Sequence, residues 1–323
     1  MSVTISVVIP TYKRPELLLR CLQALTIQRF NRSSYEIIVI TDGPDPVTEK
    51  AIAAFNKYRV HKIKFGATPE KKGPAAARNY GWLAAKGELI VFTDDDCIPD
   101  RNLLDAYYQG YLTDSHRAFT GKTIVPIAKK PTDYERNTAG LETADFITAN
   151  CACPKKLLSA IGGFDEQFAM AWREDSELEF KLIAAGIPVV KVNTALVVHP
   201  VRHAPWGVSL KEQKKTQYNA LLYKKYPALY RLKIQPSPPV YYYAIIVCFI
   251  IMLAGLISTN RLLFTGGLFL WLSLSLWFAY RRLKFTNREP GHLLEMLATS
   301  LLIPFLSIYW QFYGAFKYRV LFI

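Results

Sequence analysis

The chain has 323 residues, 40 Lys/Arg against 26 Asp/Glu and a net charge of +14. That length is too great for one small domain and suits a catalytic domain with an appendage. The five cysteines (Cys21, Cys97, Cys151, Cys153, Cys248) include no CxxC pair, which argues against zinc and against a disulfide framework and fits a reducing compartment.

Val3 to Ile9 reads as a first buried strand. The basic residues Lys13 and Arg14 follow this apolar run rather than precede it, so no signal peptide is expected. Pro15–Gln28 has helical periodicity, with Leu17, Leu18, Cys21, Leu22 and Leu25 on one side. Glu36–Ile40 is the second strand, Val47–Tyr58 the second helix and His61–Phe65 the third strand. Pro74–Lys86 is the third helix, with Gly87 as its expected C-cap. Leu89–Phe92 is the fourth strand, followed by a helix over Arg101–Tyr111 and a strand over Ala118–Val125. Pro154–Ile161 and Ser176–Ala185 read as helices, and Val189–His199 as late strands. This alternation predicts an α/β fold with a mostly parallel, Rossmann-like sheet and helices on both faces.

Beyond Leu210–Tyr226, a Lys- and Tyr-rich helix, the prolines of Gln235–Pro239 mark a linker. No charged residue lies between Lys233 and Arg261, between Arg261 and Arg281, or between Glu295 and Lys317. Each gap is long enough for a helix crossing about 30 Å of hydrocarbon. The expected division is a globular domain over 1–233 and a helical membrane segment over 234–323. Its helices are expected at about 240–258 and 262–280, with a third apolar segment at about 293–316. Lys224, Lys225, Arg231 and Lys233 precede the hairpin, and Arg281, Arg282, Lys284 and Arg288 follow it. The positive-inside rule therefore places both flanks, and the globular domain, in the cytoplasm, at a cell (inner or plasma) membrane crossed more than once. The third segment contains Pro304 and is followed by Lys317 and Arg319. Spanning, re-entry and an interfacial position all remain open for it. No nucleic-acid motif accompanies the excess positive charge, which points instead to membrane lipid and phosphate-bearing substrates.

Three aspartates, Asp94, Asp95 and Asp96, follow the fourth strand. They should emerge at its C-terminal end, where open α/β sheets bind ligands. Like charges packed together call for a cation, and Mg²⁺ or Mn²⁺ with oxygen ligands also holds phosphate. The plainer alternative is a solvated acidic turn before Pro99 and Asp100. Asp42 ends the second strand, where it can meet a base or ribose or simply form the turn before Gly43-Pro44. Glu174-Asp175 sits before a helix, as a cap or as a functional pair. His199 ends a late strand, where a neutral imidazole can complete a metal site.

Several ordered motifs carry a resemblance: VVIPTYKRPELLLRCLQAL (7–25), ITDGPDP (40–46), KKGPAAARNYGWLAAKGELIVFTDDDC (71–97), GGFDEQF (162–168) and WREDSELEFKL (172–182). Residues 1 to about 225 resemble an inverting family 2 glycosyltransferase with the GT-A fold. The resemblance implies a nucleotide-diphosphate sugar donor and a divalent cation. It places Asp94 and Asp95 at the donor and Asp96 on the metal, with His199 as a further metal ligand. Pro10, Thr11, Tyr12 and Asp42 would line the nucleotide pocket. Arg78 would meet the donor phosphate or brace an aspartate. Asp175 would be the general base, with Glu174 beside it. Asn150–Ala152 and Gly162–Asp165 would border the acceptor.

The chain departs from processive members, which carry a QxxRW motif; Arg202 to Trp206 lacks that pattern. TDDDCIPD (93–100) also differs from the metal motif of polyprenyl-phosphate sugar transferases. The resulting expectation is a membrane-anchored enzyme moving one sugar to a lipid-linked or membrane-presented glycan acceptor. The alternative in the same class is transfer to polyprenyl phosphate. In other classes stand a nucleotidyltransferase, disfavoured by the glycine-free stretch Ile9–Pro15, and an inactive scaffold, disfavoured by Asp94, Asp96 and Asp175.

Overall fold

The computed structural model describes residues 3–58 and 63–322. In chain order these form β1 (Ile5–Thr11), α1 (Pro15–Thr26), β2 (Tyr35–Thr41), α2 (Pro46–Asn56), β3 (Lys64–Ala67), α3 (Pro74–Ala84), β4 (Leu89–Thr93), β5 (Ile98–Pro99), α4 (Leu103–Thr113) and β6 (Ala118–Ile124). Then come α5 (Asp133–Ala139), β7 (Asn150–Pro154), α6 (Lys155–Ile161), α7 (Glu174–Ala184) and β8 (Val189–Val198). The remainder is helical: α8 (Val208–Glu212), α9 (Gln217–Lys225), α10 (Pro227–Lys233), α11 (Val240–Ile257), α12 (Arg261–Leu283) and α13 (Pro290–Lys317). The chain separates into two compact units, 1–126 with 139–201, and 127–138 with 202–323.

The first unit is built on one eight-stranded sheet in the order β3-β2-β1-β4-β7-β6-β8-β5. β1 pairs in parallel with β2 and β4, and β2 with β3. β1 is apolar along its length because both of its faces are covered. Ile5, Val7 and Ile9 pack with Leu18, Leu22 and Leu25 of α1. Val8, with Ile38 and Ile40 of β2, packs against Ala75, Ala77 and Trp82 of α3.

β7 was not expected from the sequence. It runs antiparallel between β4 and β6, while β6 and β8 are parallel and β5 and β8 antiparallel. The reversal sets Asn150, at the start of β7, opposite Thr93 at the end of β4. Asn150 is fully buried, as are Cys151 and Ala152. Its Oδ1 accepts from the Tyr107 hydroxyl at 2.6 Å, and its Nδ2 donates to the carbonyls of Lys122 and Ala195 at 2.9 and 3.0 Å. Those carbonyls flank the register shift between Gly121 and Lys122 in the β6·β8 ladder. One amide thus satisfies groups that the irregular ladder leaves over. A Cβ on Gly121 would lie 2.4 Å from Nδ2 of Asn150, so only glycine leaves it room.

Other expectations shift locally. Of the third strand, residues 61 and 62 lie outside the described residues, and pairing covers Lys64–Ala67. Gly87 is not the cap of α3, which ends at Ala85 in extended conformation. Gly87 instead donates its N–H to Ser6 Oγ, and a Cβ there would approach the Ile5 carbonyl carbon to 2.6 Å. α7 begins at Glu174, so Glu174 and Asp175 form its first turn rather than precede it. Residues 189–198 make one strand, not several, and the helix expected over 210–226 is divided into α8, a 3₁₀ turn and α9.

In the second unit, α11, α12 and α13 are long and apolar enough to cross a membrane, with mean hydropathies of 2.5, 1.8 and 1.6. α11 and α12 are a tight hairpin: Cβ atoms at Gly255 and Gly267 would come within 2.3 Å of the Phe264 nitrogen and 2.5 Å of the Met252 nitrogen. The segment 127–138 joins this unit through Asp133, whose carboxylate meets the Arg282 guanidinium at 2.8 Å.

Asn150→Ala leaves the Tyr107 hydroxyl and two buried carbonyls without their partner. It should destabilise the fold by about 3 kcal/mol, and lower Tm in detergent by roughly 6–12 °C. A shift under about 2 °C in a thermal unfolding scan would contradict this account.

Candidate functional site

The first unit brings together the ends of β1, β4 and β8, the middle of α3 and the first turn of α7. Arg78 of α3 is 2 % exposed. Its Nη2 donates to Asp94 Oδ1 at 2.8 Å and its Nη1 to Glu174 Oε1 at 3.2 Å. One guanidinium therefore ties the strand-end aspartates to the α7 pair. Burial works against ionisation of Asp94, but the Arg78 charge, supported by His199 and Arg14, outweighs it and holds the carboxyl below its usual range. Of the two roles weighed for Arg78, bracing a carboxylate is the one its contacts show.

Asp95 is fully buried. Its Oδ2 accepts from the Thr11 hydroxyl at 2.6 Å, and Arg14 Nη2 lies 2.9 Å from its Oδ1. Burial pushes its pKa up to about 6 against the pull of Arg14 and Thr11. Asp95 is thus a support inside the turn, and Thr11 serves it through its side chain. Arg14, unassigned in the sequence reading, also lies 3.9 Å from Asp96 Oδ2. Its only sequence signal was a basic residue just past β1.

Asp96 Oδ1 stands 3.7 Å from His199 Nε2. One ligand atom each of Asp96, Cys97 and His199 lies within 4.8 Å of the others. Burial raises the Cys97 pKa far above its usual value, so it presents a thiol rather than a thiolate. The His199 backbone N–H donates to the Ile124 carbonyl at 2.8 Å, which anchors the residue just past β8. His199 is 7 % exposed, and its Nδ1 has no hydrogen-bond partner among the described residues. A buried imidazole with an orphaned nitrogen beside a carboxylate is a donor set suited to a borderline divalent ion.

Glu174 and Asp175 open α7 after Arg173, whose φ of 73° is uncommon for a residue with a Cβ. The helix N-terminus favours carboxylates there. Glu174 is buried, and burial together with the Asp175 charge lifts its pKa to about 7 despite Arg78. Asp175 is partly exposed; its Oδ1 accepts from the Ser176 N–H at 2.6 Å, and burial raises its pKa.

Pro10 is buried within β1. The Lys71 ammonium sits 4.1 Å from the centre of the Tyr12 ring and covers one of its faces. Asp42, 6 % exposed, spends its Oδ1 on the N–H groups of Lys72 and Gly73 at 2.7 and 2.8 Å. It therefore shapes the loop entering α3, where Gly73 has φ 100° and a Cβ would strike the Ala169 carbonyl oxygen at 2.5 Å. Asn79 is committed to structure: it bonds the backbone of Phe164 at both N–H and carbonyl, and the Trp82 indole.

This fold is the GT-A type of glycosyltransferase fold. A mannosyltransferase from Pyrobaculum calidifontis, solved with GDP-Man and Mn²⁺, superposes with a TM-score of 0.56 over 99 % of this chain and 88 % of its own, at 17 % identity; that likeness is one of fold. Residues 6–165 match the family described as glycosyl transferase family 2, and the chain carries a domain of that family. Curated relatives include the glycosyltransferase AglE of Haloferax volcanii, 32 % identical over 31 % of this chain and 33 % of its own. The poly(ribitol-phosphate) beta-glucosyltransferase of Bacillus spizizenii is 36 % identical over 32 % of this chain and 16 % of its own. The chondroitin synthase of Escherichia coli is 25 % identical over 71 % of this chain and 39 % of its own. The chain spans about a third of the length of the first curated relatives it matches.

The Arg78 charge lowers the pKa of Glu174 and of Asp175. Its removal in Arg78→Ala should therefore raise both, and shift the acid limb of the pH–activity profile to higher pH. Arg78→Lys keeps a charge but cannot fork to two carboxylates, and should fall between. An unmoved acid limb in Arg78→Ala would disprove this coupling.

Proposed function

We propose that the chain is a membrane-anchored, inverting glycosyltransferase that moves one sugar from a nucleotide-diphosphate donor to a lipid-linked or membrane-presented acceptor. The observation that carries this reading is the buried Asp96–His199 pair beside Asp94, joined through Arg78 to the α7 carboxylates. The division proposed is a catalytic part over 1–233 and a membrane part over 234–323, with the catalytic part on the cytoplasmic side of a cell membrane, as the basic flanks of the α11–α12 hairpin favour.

Asp96 and His199 would hold a divalent cation, Mn²⁺ or Mg²⁺, which would offset the charge gathering on the departing nucleoside diphosphate. Pro10, Thr11, Tyr12 and Asp42 close the donor side, with Asp94 and Asp95 at the strand end. The acceptor hydroxyl oxygen attacks the anomeric carbon, the bond to the diphosphate breaks, and the hydroxyl proton passes to Asp175. Asp175 suits that role because it is the partly exposed member of the pair, while Glu174 is buried against Arg78. A single displacement needs no covalent sugar–enzyme intermediate, and inverts configuration.

The test is a panel of UDP-, GDP- and dTDP-sugars with detergent-solubilised protein, in Mn²⁺ or EDTA. Release of one nucleotide should require the cation and vanish in Asp96→Ala. Asp175→Asn should lose about 10²–10⁴-fold in transfer while still binding donor. EDTA-insensitive release would reject the cation role, and a product of retained configuration by NMR would reject inversion. The acid limb of transfer should lie above the ordinary carboxylate range, because burial raises the α7 pair and the base must be deprotonated to act.

A further inference from the structure

Length and hydropathy make α13 a candidate for a third membrane crossing. Its contacts inside the second unit say otherwise. The α11–α12 hairpin provides a depth scale. Tyr243, in the first turn of α11, and Arg282, in the last turn of α12, mark the same end of that hairpin. α13 meets both. Thr299 and Ser300 accept from Arg282 Nη1 at 2.7 and 3.1 Å, and Gln311 Nε2 donates to the Tyr243 hydroxyl at 3.3 Å. Eleven residues separate Ser300 from Gln311, about 17 Å of helix at 1.5 Å per residue. A crossing helix would carry one of these points past the middle of the hairpin, yet both fall in the half that holds its chain ends. The contact further along the hairpin, Phe305 with Phe249 at 5.1 Å, lies between them and next to Pro304.

The polar segment before the hairpin gives the same answer independently. Residues 207–225 carry Lys211, Glu212, Lys214, Lys215, Lys224 and Lys225, too many charges for hydrocarbon. This segment follows α13 along its length. Glu295 accepts from the Gly207 N–H at 2.7 Å, Lys214 lies 5.8 Å from the Trp310 ring centre, and Lys317 donates to Gln217 Oε1 at 3.3 Å. A Cβ on Gly314 would sit 2.4 Å from the Gln217 carbonyl oxygen, so the two backbones touch there. Farther on, Lys224 donates to the Tyr318 carbonyl at 2.8 Å. The opposite side of α13 is an exposed stripe running its full length through Leu294, Leu297, Leu302, Tyr309, Phe312 and Phe316.

We infer that α13 does not cross the membrane but lies along one leaflet, its exposed apolar and aromatic stripe bedded in the headgroup–acyl boundary and residues 318–322 on the same side as residues 202–238. The partner of this surface is the bilayer leaflet itself. The stripe is continuous with the lipid-facing hairpin, and lysines border it on the polar side, the arrangement of an interfacial helix. The chain then has two crossings. This rests on the membrane reading of α11 and α12.

Three variants, each adding one exposed cysteine to a Cys248→Ser background whose remaining four cysteines are buried, test it: Leu232→Cys in α10, Ser258→Cys between α11 and α12, and Leu321→Cys beyond α13. Each is treated with a membrane-impermeant maleimide in intact spheroplasts and after permeabilisation. Leu232→Cys and Leu321→Cys should respond alike, and Ser258→Cys oppositely. Leu321→Cys responding with Ser258→Cys would overturn the inference and make α13 a third crossing. All three responding alike would show that the hairpin does not cross, and would remove the membrane-spanning reading together with this inference.

Discussion

The Arg78 guanidinium is the contact on which the site depends. It is buried, and it bridges Asp94, next to the end of β4, and Glu174, at the start of α7. A carboxylate moved out of water has a large desolvation cost, and an unpaired partner left behind costs about 3–5 kcal/mol. The cation between them stabilises the ionised form of both acids, the partly exposed Asp94 and the buried Glu174. The planar fork of arginine serves two carboxylates at once, which a lysine ammonium does less well. The bridge ties the first turn of α7 to the sheet edge, while Leu178 and Leu182 seat the helix in the core.

The rest of the acidic cluster is arranged around what Arg78 leaves unbalanced. Arg14 meets Asp95 and approaches Asp96, and Thr11 donates to Asp95. Five carboxylates (Asp94, Asp95, Asp96, Glu174, Asp175) gather here, and Arg173 adds its charge near Asp175. Burial pushes the pKa of Asp95 up to about 6 and, with the Asp175 charge, that of Glu174 up to about 7, so of these two only Glu174 keeps a substantial share of its proton near neutral pH.

Much of this was readable from the chain, for physical reasons that differ by element. β1, β2 and β4 show as mostly apolar runs because helices cover both faces of the sheet, and the three aspartates follow β4 directly. β7 has no such signature. Asn-Cys-Ala-Cys-Pro consists of small residues with no β-branched or aromatic side chain, and it completes the ladder between β4 and β6. Asn150 could not be recognised as a structural residue, since its three partners come from α4, β6 and β8. The Arg78–Glu174 bridge spans 96 residues of sequence, and no local pattern predicts it. Asp42 reads in the sequence as a carboxylate that can meet a base or ribose, or as a turn former. Its bonds to Lys72 and Gly73 add a task that only the folded loop reveals.

The same distinction governs the helical unit. Hydropathy reports whether a helix can live in lipid, and by that measure α11, α12 and α13 are equivalent. Direction is a different property, set by what touches each end. For α11 and α12 the charges sit at the chain ends of the hairpin and the turn is short, so composition alone orders them. For α13 the deciding groups are polar side chains on other helices: Arg282, Tyr243, Gln217 and the backbone at Gly207. A helix whose two halves meet the same polar segment satisfies its own polar residues, Glu295, Thr299, Ser300, Gln311 and Lys317, without carrying them through hydrocarbon. A crossing would force those partners either to follow it into lipid or to be given up, and each unpaired polar group there costs several kcal/mol.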